Sequence, residues 1–262
     1  MATSVLYFDI GNTNTKIGVS VGDALVASYV LPSDERQTAD QFGLTLLELL
    51  RHTQVEPAWV TACVASSVVP GMGLLIRRAC ERFLGVRTLF APEDLPIPLE
   101  NRYALPHEVG ADRLVGAYAA RRIFPSAASI ISVDFGTATT FDCVEGNAYL
   151  GGLICPGVQS SASALAAGTA KLPRISLEVK DKSPAPGRST ATSLNHGFVF
   201  GFAAMTEGLA ARLARGMQGP VTVVGTGGFA AALAEVADCF HAIHPDLLLE
   251  GLRFLYRDHV SG

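Results

Sequence analysis

Two stretches of similar pattern, about half a chain apart, constrain the fold more than any other feature of the sequence. In each, an apolar run ends in Asp-x-Gly and a second strand rich in hydroxyl residues follows, at residues 5–16 and again at residues 130–142. An apolar, β-branched run is typical of a buried strand. The turn after it presents backbone N–H groups and small side chains, which let an anion approach the main chain. Either stretch alone could be an ordinary Asp-Gly hairpin, but the repeat predicts a duplicated domain with a nucleotide held between the copies.

Composition limits the class of protein. The chain has 262 residues, of which 49% are apolar, so it can form two modest domains with a large core. With a formal net charge of −4 and no basic run, nucleic acid and anionic membrane surfaces are poor candidates as partners. The five cysteines form no Cys-x-x-Cys pair, which favours buried thiols in a reducing compartment over disulfides or a zinc site. The first apolar run is interrupted by the charged Asp9, which argues against a signal peptide or a membrane-spanning helix there. Together with the cysteine pattern, this predicts a cytoplasmic protein without a membrane span.

The periodicity of apolar residues predicts alternating strands and helices. In the first half it predicts the order βββαβαβ, which is typical of an α/β layered fold; the strands are at residues 5–8, 15–21, 24–30, 59–65 and 86–90, and the helices at 38–53 and 71–83. The second half repeats the three-strand opening at residues 128–133, 139–144 and 148–154. Helices are predicted after it at residues 159–171, 193–217 and 229–237, with a strand at 221–224 and a last helix ending near 256. Residues 92–106 lack any period and are interpreted as a linker or a loop over the site.

Three features are ambiguous when they are judged from the residues alone. Asp112 lies in the first turn of a predicted helix, where most acidic residues only complement the helix dipole. A carboxylate held there against a cleft could instead accept a hydroxyl proton. Lys16 could bind phosphate or lie on an exposed strand edge. The glycine-rich turn at residues 225–228 suits close approach by a nucleotide, but such turns also simply join a strand to a helix.

Taken in order, the motifs resemble those of the type III pantothenate kinases, also called Bvg accessory factor-like proteins. The matching motifs are Asp9-x-Gly11-Asn12-Thr13-x-x-Lys16, Tyr103-x-x-Pro106, Gly110-Ala111-Asp112-Arg113, Asp134-Phe135-Gly136-Thr137, Gly227-Gly228 and Pro245-x-Leu247-x-Leu249-x-Gly251. Asp-x-Gly-Thr alone would indicate only the superfamily of acetate kinase, sugar kinases, Hsp70 and actin, and Gly-Ala-Asp-Arg narrows the resemblance to this family. The resemblance implies duplicated ribonuclease H-like (actin-like ATPase) domains, residues 1–117 and 118–262, each a mixed five-stranded sheet flanked by helices.

The resemblance also implies a reaction and its residues. ATP would phosphorylate the primary hydroxyl of pantothenate, the first step toward coenzyme A, and phosphoryl transfer depends mainly on positioning and charge stabilisation. Asp112 would be the general base, and Arg113 would hold the substrate carboxylate with its fork of donors. The residues implied to contact pantothenate are Tyr103, Gly110, Ala111, Asp112, Arg113 and Thr190. Those implied to contact ATP are Asp9, Gly11, Asn12, Thr13, Asn14, Thr15, Lys16, Thr137 and Gly227.

Cofactors and a partner follow from the same resemblance. Asp9 would orient Mg²⁺ through water, since this ion keeps much of its hydration, and Asp134 matches the position that binds a monovalent cation, K⁺ or NH₄⁺. Family members are homodimers whose pantothenate pocket is completed by the partner subunit. The apolar face of the helix after residue 193 could therefore be core or interface.

The chain departs from the family pattern at three positions, and two other functions compete with the kinase. Gly116, Asn195 and His196 replace the usual residues close to predicted site segments, where they could tune substrate affinity. We expect His196 to be a packed or interface residue rather than a catalyst. The alternatives are a non-enzymatic regulatory protein that keeps the ATP-binding fold and a phosphotransferase acting on a sugar or acetate. The intact base and phosphate turns disfavour the regulatory protein. The other phosphotransferase would have a different substrate segment in place of Tyr103 to Arg113, so it is not favoured either.

Overall fold

The computed structural model describes residues 3–168, 178–179 and 181–261. The strands are β1 (Ser4–Ile10), β2 (Asn14–Val21), β3 (Ala24–Pro32), β4 (Val60–Ser67), β5 (Thr88–Ala91), β6 (Glu100–Asn101), β7 (Ser129–Phe135), β8 (Ala138–Glu145), β9 (Ala148–Pro156), β10 (Val221–Gly227) and β11 (Ala242–Ile243). The helices are α1 (Ala39–His52), α2 (Pro70–Leu84), α3 (Ala111–Ile123), α4 (Val158–Ala167), α5 (Thr190–Ala214), α6 (Ala230–Leu233) and α7 (Leu247–Ser261). No helix in these described ranges is both long enough and apolar enough to cross a membrane.

The chain forms two compact units, and each has its own mixed sheet. The first unit contains residues 1–99, 105–122 and 246–262, and the second contains residues 100–104 and 123–245. The C-terminal helix α7 thus belongs to the first unit. These units group residues by spatial proximity, so the division into repeated halves at residues 117 and 118 stays a prediction.

The first unit is a sheet covered by helices on both faces. Its described strands have the order β3-β2-β1-β4-β5, with antiparallel β1–β2–β3 and parallel β4 and β5. Because side chains alternate between the faces of a strand, Phe8 packs with Phe42 in the core that α1 and α2 cover. Tyr7 packs on the opposite face with residues of α3 and α7. Asp9 has the same parity as Tyr7, so it lies on the face covered by α3, the helix that carries Asp112 in its first turn.

The second unit repeats the antiparallel three-strand arrangement. Its sheet has the order β11-β10-β7-β8-β9-β6 among the described residues, and β7, β8 and β9 are consecutive antiparallel strands. The prediction of five strands in this sheet was wrong by one. β6, which lies inside the segment interpreted as a loop, adds to the edge of β9, where the Glu100 N–H donates to Asn147 O at 3.0 Å and the Arg102 N–H donates to Tyr149 O at 2.9 Å. The core of this unit packs Phe135 and Phe141 against residues of α4, α5 and α6.

Two predicted boundaries differ from the structure for local reasons, and a third falls beyond the described residues. α5 begins three residues earlier than predicted, because the Ser189 hydroxyl accepts a hydrogen bond from the Thr192 N–H at 3.2 Å and caps the helix. β10 continues to Gly227 because it pairs with β7 as far as Phe135, which leaves only the short helix α6 in the predicted helix 229–237. α4 ends at Ala167, and the end predicted at residue 171 lies outside the described residues.

Candidate active site

The first predicted phosphate turn is the tip between β1 and β2. The Gly11 N–H donates to Asn14 O at 3.0 Å, which closes the tip. Asn12, Thr13 and Asn14 are exposed there, whereas the Thr15 side chain is fully buried. The turn therefore offers three consecutive exposed residues to an anion and anchors itself through Thr15.

Lys16 lies beside the acidic residue that precedes the turn. It pairs with Asp9 across the β1–β2 ladder. Its Nζ is 3.6 Å from Asp246 Oδ1, and the two side chains are 26% and 33% exposed. Asp246 immediately precedes α7 and was not predicted as a site residue. This partly exposed ion pair holds the ammonium group near the turn, where an anionic ligand could compete for it.

Asp112 lies in the first turn of α3 and is half-buried. Burial raises the pKa of its carboxyl group above the ordinary value, and the Arg113 N–H, which donates to Asp112 Oδ1 at 2.8 Å, partly opposes that shift. A carboxylate with a raised pKa is a better proton acceptor than an exposed one. The raised pKa of Asp112 is therefore compatible with the predicted role as a general base, which stays a prediction.

The residues around Asp112 leave it little room. A Cβ atom added at Gly110 would lie 2.4 Å from Asp112 Oδ1 and 3.5 Å from Val68 Cγ1, so a side chain at position 110 would displace the Asp112 carboxylate. Ala111 is the first residue of α3 and Arg113 follows Asp112, and both are half-buried. The Cβ position of Gly116 is 3.6 Å from Leu248 Cδ1, so Gly116 packs α3 against α7.

In the second unit, Asp134 and Gly227 are in direct contact. Asp134 lies near the end of β7, and a Cβ atom added at Gly227 would be only 2.4 Å from Asp134 Oδ1. Gly227 also has a φ of +88°, which side chains other than glycine rarely adopt. The glycine therefore brings the end of β10 directly against the carboxylate, and the two predicted site residues form one cluster.

The remaining predicted site residues of this unit lie at three other places. Thr137 is exposed at the tip between β7 and β8, and its carbonyl accepts a hydrogen bond from Ser160 Oγ at 2.8 Å. The Tyr103 ring lies over Gly151 of β9, where an added Cβ atom would be 3.1 Å from Tyr103 Cδ2. Thr190 is exposed as the first residue of α5.

Asn195 and His196 hold the segment that precedes α5. The Asn195 amide donates to Glu178 O at 3.0 Å. His196 Nδ1 is 2.8 Å from Ala185 O, and its Nε2 is 2.9 Å from Asp181 Oδ2. The Ala185 carbonyl and the Asp181 carboxylate raise the pKa of His196. These contacts give both departures a role in fixing the chain just before Thr190.

Asp9 is the predicted Mg²⁺ ligand of the first unit. Among the described residues, no group of three or more His, Cys, Asp or Glu side chains is placed to hold a metal ion. Mg²⁺ typically keeps several waters and binds through one or two carboxylates plus substrate phosphates. Asp9, at the base of the phosphate turn, is consistent with that mode of binding.

Sequence reasoning missed the residues that support the predicted ones. Asp246, Ser33 and Ser160 contact Lys16, Gly11 and Thr137 respectively. Asp246 stands inside a motif that was noticed, but its contact with Lys16 joins positions 230 residues apart and has no local signal. The strands β3 and β9, each the third strand of the antiparallel arrangement in its unit, both end in proline. A comparison of them could have drawn attention to the segments that follow, which carry Ser33 and Ser160.

Comparison with known proteins identifies the family. The model of the family described as type III pantothenate kinase matches residues 5–212. The chain belongs to the type III pantothenate kinase family. A protein named type III pantothenate kinase from Nitratidesulfovibrio vulgaris (strain Miyazaki F) is 67% identical over 256 residues, which cover 98% of each chain. The protein of the same name from Oleidesulfovibrio alaskensis is 63% identical over 258 residues, again 98% of each chain.

A solved structure supports the fold of this pantothenate kinase family member. A conserved Baf family protein from Campylobacter jejuni matches with a TM-score of 0.60 over 98% of this chain and 100% of its own, at 19% identity. At that identity the likeness concerns the fold alone. The predicted family is thus confirmed, as is the α/β fold with two mixed sheets flanked by helices.

Proposed function

We propose that this protein is a kinase that transfers the γ-phosphoryl group of ATP to the primary hydroxyl of pantothenate, in the pathway to coenzyme A. The observation that carries the proposal is Asp112, a carboxyl group with a raised pKa inside an intact Gly110–Arg113 motif. Membership of the type III pantothenate kinase family supplies the substrate. The regulatory alternative is not favoured, because the acid–base residue and both phosphate turns are present.

The proposed chemistry is an in-line displacement in which the protein mainly positions the reactants. The Asp112 carboxylate accepts the proton of the pantothenate hydroxyl as its oxygen forms a bond to the γ-phosphorus. The bond from that phosphorus to the bridging oxygen breaks, and ADP leaves. Arg113 is assigned to the pantothenate carboxylate, and Tyr103, Gly110, Ala111 and Thr190 to the rest of that substrate.

We assign the ATP phosphates to the exposed turn between β1 and β2. Lys16, now paired with Asp246 at 3.6 Å, would exchange part of that contact for a phosphate oxygen. We also assign Thr137 and Gly227 to ATP, and this assignment rests on the family motifs. Asp9 would hold Mg²⁺ through water, and the ion when bound would offset the negative charge of the phosphates.

Asp134 is our candidate ligand for a monovalent cation, K⁺ or NH₄⁺. It is half-buried, and the backbone at Gly227 lies against its carboxylate. A carboxylate with oxygen-bearing neighbours such as Thr226, its partner in the β7–β10 ladder, has the hard donors that such a cation prefers.

We further propose a homodimer with the site completed across its interface, in the cytoplasm. The supporting observation is an apolar cavity of about 360 Å³ between α4 and α5, open on the surface of the second unit. It is lined mainly by apolar side chains and glycine: Leu165, Leu194, Gly197, Phe198, Gly201, Phe202 and Met205. A reducing compartment agrees with five cysteines that are all free.

An assay of ADP release with ATP, Mg²⁺ and pantothenate tests the kinase. We expect turnover that depends on pantothenate, that needs K⁺ rather than Na⁺, and that falls at least about 100-fold in Asp112→Asn, since a positioned base contributes about 10²–10⁴-fold. Asp238→Asn, the same change at an exposed position, is the control and should keep full activity. A folded wild-type protein that binds ATP yet shows no turnover in either salt would refute the kinase and favour the regulatory protein.

A further inference from the structure

The two hairpins that carry the phosphate turns share a detail beyond their Asp-x-Gly sequences. In each unit the third strand of the meander ends in a proline that pairs with the first residue after the tip. In β3 this is Pro32, opposite Asn14, and in β9 it is Pro156, opposite Ala138. Since proline has no backbone N–H to continue the ladder, each third strand ends beside the tip of its own hairpin.

In the first unit, the residue after that proline binds the tip at three points. The Ser33 N–H donates to Thr13 O at 2.9 Å, and Ser33 Oγ donates to Gly11 O at 2.7 Å. Ser33 Oγ is also 2.8 Å from Thr15 Oγ1. Because a serine hydroxyl has one proton and Gly11 O takes it, Thr15 must be the donor in the second contact. Ser33 therefore connects the carbonyl side of the turn to a fully buried threonine.

In the second unit, a serine in the first turn of α4 makes a similar contact, one residue further along the tip. Ser160 Oγ donates to Thr137 O at 2.8 Å. α4 approaches the tip closely, because a Cβ atom added at Gly157 would lie only 2.1 Å from Thr137 O. The two serines differ in sequence context, and yet each donates its hydroxyl proton to a tip carbonyl of its own hairpin.

These contacts matter because a phosphate-binding turn must keep its carbonyl groups away from the anion. Backbone N–H groups attract phosphate, whereas a carbonyl oxygen that turned toward it would repel it. A hydroxyl bound to the carbonyl keeps that peptide group in one orientation. We propose that Ser33 and Ser160 are positioning residues for ATP, each of which holds the carbonyl side of one phosphate turn. This inference rests on the proposed function, since it assumes that these turns bind the phosphates.

The test for Ser33 compares the two substrates. We expect Ser33→Ala to raise the KM for ATP about tenfold, because two hydrogen bonds that fix the turn are lost, each worth about a factor of three to ten. The KM for pantothenate should change less than about twofold. Ser33→Thr keeps the hydroxyl and should restore the KM for ATP. Ser28→Ala removes an exposed serine from β3 and serves as the matched control, with both KM values unchanged.

Ser160 is exposed, so its single hydrogen bond should contribute less. We expect Ser160→Ala to raise the KM for ATP about threefold, with Ser163→Ala, an exposed serine on the same helix, as its control. The double variant Ser33→Ala with Ser160→Ala should show about the product of the two effects, since each serine acts on a different turn.

Titration calorimetry with Mg-ATP separates failure of the inference from failure of the proposed function. Absence of Mg-ATP binding by the wild type would refute the proposed function itself. Wild-type binding with unchanged affinity in both serine variants would overturn the inference alone. Equal rises of both KM values, or no rescue by threonine, would mean that the serines only stabilise the fold and would overturn it too. Should Ser33→Ala fail to fold, Ser33→Cys replaces it, and an unchanged KM for ATP in that variant has the same meaning.

Discussion

At the scale of single residues, the proposed base has a cost in stability. Burial raises the pKa of Asp112, so the folded protein holds its proton more tightly than the unfolded chain does. Between the unfolded and folded pKa values the folded state therefore binds more protons, and the free energy of unfolding decreases as pH rises through that window. At neutral pH the charged carboxylate is a destabilising group, and the proposed chemistry accounts for its presence.

Asp112→Asn should therefore be inactive and more stable than the wild type at pH 7. The amide oxygen can still accept from the Arg113 N–H, and no charge is desolvated. Thermal unfolding from pH 3 to pH 8 measures this: the melting temperature of the variant should exceed that of the wild type at pH 7, and the difference should shrink toward zero below the ordinary aspartate value of 3.8. A variant less stable than the wild type at pH 7 would show that Asp112 has a stabilising partner as an anion.

At the scale of elements, the start of α5 is tied to the preceding segment by one histidine. Both ring nitrogens of His196 face acceptors, Ala185 O and Asp181 Oδ2. Only the doubly protonated ring can donate to both. Its ring edge also meets Phe200, and the neighbouring ion pair joins Lys182 to Glu235. The neutral ring can keep its Nε2–H on Asp181 and accept at Nδ1 from the Ala185 N–H, which lies 3.3 Å away, so protonation should strengthen the contact rather than create it.

This contact predicts a pH-dependent start of α5. Since the folded pKa of His196 is raised, its contribution to stability is fully present below the ordinary histidine pKa of 6.5 and is lost as pH rises through the folded pKa. We expect the His196 ring protons in NMR to titrate above pH 6.5 and amide exchange near residues 190–196 to accelerate over the same range. Asp181→Asn should move the titration downward. An unshifted titration in both proteins would contradict the contact.

Elements were easier to predict than their supporting contacts. Apolar runs predicted β1 to β3 and β7 to β9, and β1 and β7 are buried along almost their whole length, so that a continuous run marks them in the sequence. β6 was missed because two residues that pair with a distant edge have no period. The Asp-x-Gly turns and Asp112 were likewise visible as local patterns. Asp246 beside Lys16, and the serines on the tips, are products of tertiary structure and have no local signature.

At the scale of the whole molecule, the apolar cavity between α4 and α5 offers a test of the proposed homodimer. Phe198 and Phe202 stack with ring centroids 6.3 Å apart, and Gly197 and Gly201 have no neighbour within 4 Å of their Cβ positions among the described residues. Small residues beside stacked rings leave a shallow apolar surface that a second copy could fill, and an apolar surface of this kind is typical of protein interfaces.

A charge placed in this surface should separate the subunits. Burying an unpaired carboxylate at an interface costs several kcal/mol, so Met205→Glu should raise the dimer dissociation constant at least about 100-fold. Sedimentation velocity should then show monomer. Because the proposed pantothenate site is completed by the partner, specific activity should fall as the dimer dissociates and recover in part at higher protein concentration.

Leu44→Glu, at an exposed position of α1, is the matched control and should stay dimeric and active. If Met205→Glu is monomeric and still fully active, the shared site is refuted, although the wild-type dimer is not. If the wild type is itself monomeric at micromolar concentration, the dimer is refuted.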